Sequence, residues 1–157
     1  MRKYFVAIAM TALAEAAFVV GASAQDARFA VVHVSNETRS EMSFYHTWVW
    51  HSGRVERGWS LIKIGPGQTR TVHYSYDGPD RKSPDLIVVF DSDRNSGARW
   101  EKVKLARAAS IDFHDRGTGF TYALRYDNDR QEFASLRPTN GGSVTVLDRN
   151  AAPPRLN

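Results

Sequence analysis

Five consecutive apolar residues, Leu86–Phe90 (L-I-V-V-F), stand between Pro84-Asp85 and Asp91. A short run rich in β-branched residues and closed by turn formers reads as a strand. Successive strand side chains point to opposite faces, so a strand that is apolar throughout must be covered on both. This one run therefore demands sheet neighbours on either side and a second layer above it. The segment Trp100–Leu105 reads as its return, with apolar Trp100, Val103 and Leu105 set among charged Glu101, Lys102 and Lys104. The two segments predict a hairpin at the centre of an all-β domain.

The rest of the chain agrees with that class. Phe29–Ser35 is β-branched and ends at Asn36-Glu37-Thr38, which predicts a first strand. From Met42 to Trp50 the pattern has a strict period of two. Met42, Phe44, His46, Trp48 and Trp50 share one face, and Ser43, Tyr45, Thr47 and Val49 share the other. His51–Gly58 is a charged, glycine-bounded loop, and Trp59–Ile64 a third strand closed by Gly65-Pro66-Gly67. Thr69–Tyr76 is a fourth strand, followed by the polar connection Asp77–Pro84. Ala106–Ser110 reads as a short helical turn, and Ile111–Phe113 as a short strand. Phe120–Tyr126 and Gln131–Leu136 form a second hairpin across Asp127-Asn128-Asp129-Arg130, whose Asx residues suit a tight turn. Arg137–Gly142 reads as loop and Ser143–Leu147 as a weak edge strand. Seven to nine short strands at spacings of about ten residues, with no amphipathic helix, predict a single antiparallel β-sandwich or barrel. The Gly65-Pro66-Gly67 turn after an apolar strand resembles the strand ends of many secreted immunoglobulin-like sandwiches, which implies a sandwich of that or a related kind.

The first two dozen residues follow different rules. Arg2 and Lys3 precede an apolar stretch from Tyr4 to Val20, and Ala22-Ser23-Ala24 supplies the small residues of a cleavage site. That is the layout of a secretory signal helix. Glu15 opposes a retained anchor, since an acid in mid-membrane costs about 2.5–3.5 kcal/mol on insertion scales. The expected organisation is a signal peptide over 1–24, a sandwich domain over 25–147 and a flexible tail over 148–157. The mature product would be secreted or periplasmic, with no membrane association after cleavage. Of 157 residues, 133 remain after the first 24, enough for one domain with a sizeable core. Cysteine is absent, which removes thiol catalysis, thiolate metal sites and disulfides. Lysines and arginines alternate with acids instead of forming a stripe, so a nucleic-acid partner is not expected.

Several residue groups carry candidate chemistry. Asp91, Asp93 and Asn95 alternate through the loop of the central hairpin, as oxygen ligands do when a chain curls around calcium. Arg94, Ser96 and Lys102 oppose that reading, and the competing role is an Asx turn bonding its own backbone. Asp127-Asn128-Asp129 is a weaker version of the same pattern. Asp112 and His114 share a strand face in the manner of a carboxylate supporting a metal-bound imidazole, but no further ligands have zinc spacing. His33, His46, His51 and His73 show no shared spacing. Asn36-Glu37-Thr38 matches a glycosylation sequon. No nucleophile elbow or phosphate loop is present, and no pair of acids is singled out for glycoside hydrolysis. The chain is thus expected to be a non-enzyme, with a hydrolase site assembled only in three dimensions as a remote alternative.

Aromatic residues are the remaining signal. Tyr45, Trp48, Trp50 and Trp59 would stack on sugar rings if exposed together, as in carbohydrate-binding modules, although large aromatics more often fill a core. The leading expectation is a secreted or periplasmic β-sandwich that binds a protein or polysaccharide partner or serves the envelope structurally. The alternative is a carbohydrate-binding module, with calcium at Asp91, Asp93 and Asn95 as its only candidate cofactor.

Overall fold

The computed structural model describes residues 27–55, 58–77, 82–93, 98–110, 116–127 and 133–156. The expected signal peptide, Asp112, His114 and Asn95 lie outside them, as do Asn128 and Asp129. The described chain is β structure with one short 3-10 turn. Its strands are β1 (Ala27–Asn36), β2 (Met42–Val49), β3 (Ser60–Ile64), β4 (Thr69–Asp77), β5 (Asp85–Asp91), β6 (Trp100–Leu105), β7 (Ala108–Ser110), β8 (Phe120–Tyr126), β9 (Ala134–Asn140) and β10 (Val144–Ala151).

They form two five-stranded sheets. The first has the order β4-β1-β8-β9, with β7 also paired to β1; the second has the order β10-β6-β5-β2-β3. Both strands of the central hairpin are where the sequence puts them. β5 lies between β2 and β6, with Val88 opposite His46 on one side and Val103 on the other. All five residues of Leu86–Phe90 are buried, as a strand covered on both faces requires. One core joins the two sheets. Ala30, Val32, Val34, Tyr122 and Leu124 come from the first, and Phe44, Trp48, Leu86, Phe90, Val103 and Leu105 from the second. Each fully buried aliphatic or phenyl side chain of this kind contributes roughly 1.5–3 kcal/mol.

Several features depart from the sequence expectation. The described residues hold ten strands and not seven to nine, and one pairing is parallel. β1 runs parallel to β8 from Val32 opposite Phe120 to Asn36 opposite Leu124, while the same edge of β1 pairs antiparallel with β7 at Phe29–Val31. Parallel neighbours need a long connection, and everything from β2 to β7 intervenes here. Ala108–Ser110 is therefore a strand and not a helical turn, because it fills the part of that edge which β8 leaves open. β9 runs on through Asn140, across residues read as loop, because β8 supplies partners as far as Thr121. β10 continues past Leu147 to Ala151, so the segment expected to start a flexible tail is partly in a sheet. Its pairing with β6 takes two register shifts, after Val146 and after Asp148. Those irregularities erase the alternation by which a strand is recognised.

Asn36 corrects the sequon reading. Its residue is fully buried, and every polar group it has is engaged. The side-chain amide donates to the carbonyls of Ser40 (2.8 Å) and Ile64 (2.7 Å). Its Oδ1 accepts from the backbone N–H of Thr38 (2.9 Å) and from the Thr38 hydroxyl (2.6 Å). Its own N–H donates to Gln68 O, and its carbonyl accepts from Gly67 N–H at 2.7 Å. Asn36 closes β1, and the groups it holds belong to the β1–β2 connection, the end of β3 and the turn into β4. A side chain so enclosed offers no amide to a glycosyl donor.

Tyr122 makes the equivalent tie at the opposite end. Its buried hydroxyl donates to Ala106 O at 2.6 Å and lies 3.2 Å from Ser143 O. Gly142, with φ of +76°, passes directly over it, where any Cβ would collide with that hydroxyl.

Asn36→Ala should lower unfolding stability by roughly 2–5 kcal/mol, because it removes the donor to the Ile64 carbonyl and the acceptor of two Thr38 donors. Urea unfolding checks this. The midpoint should drop with little change in slope, and a loss below about 1 kcal/mol would contradict the role given to Asn36.

Candidate functional site

The inward-facing positions of β2 continue past the end of the strand. Trp48 is 3% exposed and belongs to the core, while Trp50, two residues on, is only partly buried. Tyr74 of β4 reaches across from the first sheet and meets both indoles. Its ring centroid lies 5.7 Å from that of Trp48 in a tilted contact and 6.3 Å from that of Trp50 in an edge-on one. These are favourable aromatic geometries, and they brace Trp50 where the two sheets open to solvent.

Beyond Trp50 the chain closes into a hairpin and not the open loop its charge implies. Gly53 N–H donates to Trp50 O at 2.8 Å, Trp50 N–H donates to Arg54 O at 2.9 Å, and Val49 bridges to Val55. Gly53 has φ of +82°, the left-handed conformation that closes a three-residue hairpin loop. His51 and Arg54 are thereby held beside Trp50 on a short, hydrogen-bonded frame. Together with Ser52 and Lys82 they line an open cleft of about 470 Å³, within the range of small-ligand sites.

Lys82 is placed by its neighbours. Arg107 donates from Nε to the Ser83 hydroxyl (2.6 Å), from Nη2 to the Ser83 carbonyl, and from Nη1 to Asp85 (2.9 Å). One guanidinium thus holds the segment entering β5, and Lys82 with it. Asp85 also lies 3.7 Å from Lys104 Nζ and 3.9 Å from His51 Nδ1. Together with Lys104, Arg107, Ser143 and Thr145 it lines a second cavity of about 260 Å³. Among the described residues lining the first cleft there is no carboxylate, and Asp85 in the second cavity is matched by Arg107 and Lys104.

The residues singled out from sequence therefore separate. Trp50 is in the cleft, Trp48 is core beneath it, and Trp59 is partly exposed just before β3. Tyr45 lies on the outer face of the second sheet, its ring edge-on to Trp100 at 5.6 Å. His51, Arg54 and Lys82 join Trp50, although sequence reasoning assigns them no site. The one clue to His51 and Arg54 is their place on either side of Gly53, directly after an aromatic strand.

Asp91 and Asp93 lie elsewhere, in a cavity of about 250 Å³ with Glu41, Trp100 and Tyr126. Asp91 Oδ1 accepts from the Asp93 N–H at 3.0 Å, which is the Asx-turn role. Ser92 O accepts from Ala134 N–H at 2.7 Å, and Asp93 bridges to Phe133. This segment stitches the second sheet to the first. No group of three or more potential metal ligands occurs among the described residues.

His46 is the most perturbed titratable group among the described residues. It stands on the inner face between Ser60 and Val88, its ring 6.3 Å from Phe44, and its Nδ1 has no hydrogen-bond partner. Burial lowers its pKa from 6.5 to about 4, so the ring is neutral at pH 7. Glu101 also faces inward. Burial raises its pKa, against the pull of Arg99, which is 3.3 Å away.

The chain matches no protein-family model and no curated protein.

Burial of His46 couples folding to pH with a definite sign. Its folded pKa of about 4 lies below its unfolded value of 6.5, so between those limits the unfolded chain takes up a proton that the folded chain refuses. Stability from this group is complete above pH 6.5 and is lost as pH falls toward 4, by about 3 kcal/mol in all. Denaturant unfolding of wild type and His46→Phe across pH 4 to 7 should show a shallower pH dependence in the variant. Parallel profiles would exclude a buried neutral His46.

Proposed function

We propose that this protein is an exported, non-catalytic binding domain on an immunoglobulin-like β-sandwich, and that it engages an extracytoplasmic macromolecule through the Trp50 cleft. The supporting observation is the cleft's construction. Trp50 is braced by Tyr74 from the opposite sheet, and the side chains around it are carried by a hydrogen-bonded hairpin. A rigid aromatic beside cationic side chains supplies contact area at little entropic cost. The two-sheet core is consistent with the sandwich. The basic and apolar run over 1–20, followed by Ala22-Ser23-Ala24, is the ground for export, with cleavage before Gln25. In this reading the product resides in the periplasm or outside the cell, and its partner is a protein or polysaccharide of that compartment.

Both parts are testable with the full chain. Expressed with its N-terminus intact, the protein should appear in the extracytoplasmic fraction with a mass beginning at Gln25. An unprocessed, cytoplasmic product would overturn export. Purified mature protein, immobilised, should retain material from a fractionated envelope extract, and Trp50→Ala should reduce that retention about tenfold, as expected for a central aromatic anchor. Retention indifferent to Trp50 would remove the cleft from the reading.

A further inference from the structure

The edges of the two sheets are not equally guarded. We propose that β4 is an interface strand, which pairs antiparallel with β4 of a second copy of this chain about a two-fold axis at His73. The first sheets of the two copies then join edge to edge. This pairing is independent of the Trp50 cleft and rests on the backbone and sequence of β4.

An open strand edge presents N–H and C=O groups to any extended chain, and proteins blunt such edges with short strands, bulges, prolines and charges. Among the described residues the sheet orders end on β4 and β9 in one sheet and on β10 and β3 in the other. Three of these strands are blunted. β3 has 5 residues and carries Lys63. β9 contains Pro138, opposite Tyr122, with a register shift beside it. β10 takes two register shifts, and Asp148 Oδ1 accepts from the Asn150 N–H at 2.8 Å. β4 is neither short nor bulged. It runs for 9 residues without a proline, with Arg70 at its second position. Its register against β1 is unbroken from Ser35 opposite Thr69 to Ala27 opposite Asp77.

The phase of the ladder decides which backbone groups of β4 face outward. Alternate residues of an antiparallel strand direct both of their groups to the same neighbour. Asn36 N–H donates to Gln68 O at 2.9 Å, so Val34, Val32 and Ala30 face Arg70, Val72 and Tyr74 as bonded pairs. Thr69, Thr71, His73, Ser75 and Asp77 therefore turn their N–H and C=O away from β1. A two-fold axis at His73 sets Thr71 opposite Ser75, and Thr69 opposite Asp77, of the other copy. Every outward-facing position then meets another, and a shift of the register leaves positions at the ends unmatched. The intervening residues agree. Val72 falls opposite Tyr74, a β-branched residue against an aromatic one, and Arg70 falls opposite Tyr76, so no pair sets acid against acid or arginine against arginine. Such a self-complementary strand is what a two-fold dimer requires. The His73 ring lies 6.4 Å from Phe29, and Tyr74 meets Trp48 and Trp50. Those contacts lie on the faces of the sheet, and a strand added in its plane leaves them in place.

Sedimentation velocity of the purified protein tests this. It should pass from monomer toward dimer as concentration rises from about 1 to about 100 µM. Ser75→Pro should weaken the dimer about tenfold or more, because a proline at an outward-facing N–H removes no bond to β1 and removes one across the interface. Its unfolding midpoint at low concentration should match wild type, and Ser75→Thr, which keeps the N–H, should dimerise as wild type does. Crosslinking fixes the register. The chain has no cysteine, so a single introduced thiol can pair only with its counterpart. His73→Cys should form an intermolecular disulfide on mild oxidation, since the axis brings the two Cα atoms to about 5.5 Å. Thr71→Cys alone should not, its counterpart lying about 13 Å away along the strands, whereas Thr71→Cys mixed with Ser75→Cys should. A monomer at every concentration would overturn the proposal, as would a dimer indifferent to Ser75→Pro. A dimer that crosslinks as readily through Thr71→Cys alone as through His73→Cys would overturn the axis at His73. A protein that stays monomeric yet binds a synthetic Thr-Val repeat peptide, in a manner that Ser75→Pro abolishes, would overturn the second copy in favour of a strand-accepting site.

Discussion

The arrangement of the two sheets depends on one fully satisfied amide. Asn36 sits where β1 leaves the first sheet and where the chain returns from the second sheet through Gly65-Pro66-Gly67 into β4. Both crossings happen at the same end of the molecule, and their backbone groups have no ladder partners there. A buried carbonyl without a partner costs about 1–3 kcal/mol; Ile64 presents one to Asn36, which also shares the Ser40 carbonyl with the Thr38 hydroxyl. A carboxamide meets the need because it donates twice and accepts at one oxygen. Aspartate would lose both donors, and serine would not reach both carbonyls. Tyr122 does the same work at the far end, where Ala106 and Ser143 approach and Gly142 leaves room for the hydroxyl. Between these two ties the hydrophobic layers can be apolar almost throughout.

That division separates what is legible in the sequence from what is not. Leu86–Phe90 announces a strand covered on both faces because burial on two sides is written in local composition. The strict alternation of Met42–Trp50 likewise announces one inward face. The β5–β6 and β8–β9 hairpins each join two such runs that follow one another in the chain. The parallel pairing of β1 with β8 is not legible, since nothing local distinguishes the part of the β1 edge that β8 fills from the part that β7 fills. β10 is hidden for a different reason. Its two register shifts and its exposed, polar sequence leave no period to detect, and only the free edge of β6 makes it a strand. Asn36-Glu37-Thr38 illustrates a real ambiguity. An asparagine two residues before a threonine serves an Asx turn as well as a sequon, and the choice between them rests on whether Ile64 and Gln68 arrive to enclose it.

The aromatic signal is legible in kind and not in place. Four residues suggest one platform, yet the structure sends Tyr45 to the outer face beside Trp100, leaves Trp59 ahead of β3, and puts Trp48 and Trp50 on one inward row. The acidic loop offers two roles for the same residues. Alternating Asp91 and Asp93 suggest a cation, whereas Asp91 caps the backbone of Asp93 and Ser92 ties the sheets together through Ala134. Lys82 has no signature at all, because its position is set by Arg107 reaching back from beyond β6.

The boundary between core and cleft falls between two tryptophans that share a face. Trp48 and Trp50 have the same orientation along the chain, and both touch Tyr74, but the sheets close over one and open at the other. The hairpin closed by Gly53 begins at that point, so the cations it carries stand at the rim of the core and not in it. Charge placed earlier on the same face would meet the environment that holds His46 neutral; there, Arg54 would bear the same desolvation with no anion to offset it. Ending the apolar row on a partly exposed indole, and placing charge only after it, lets an aromatic surface anchored in the core sit beside exposed cationic side chains. Arg107 completes the separation from the other side. It matches Asp85, which Lys104 and His51 also approach, and so fixes the chain where it enters β5.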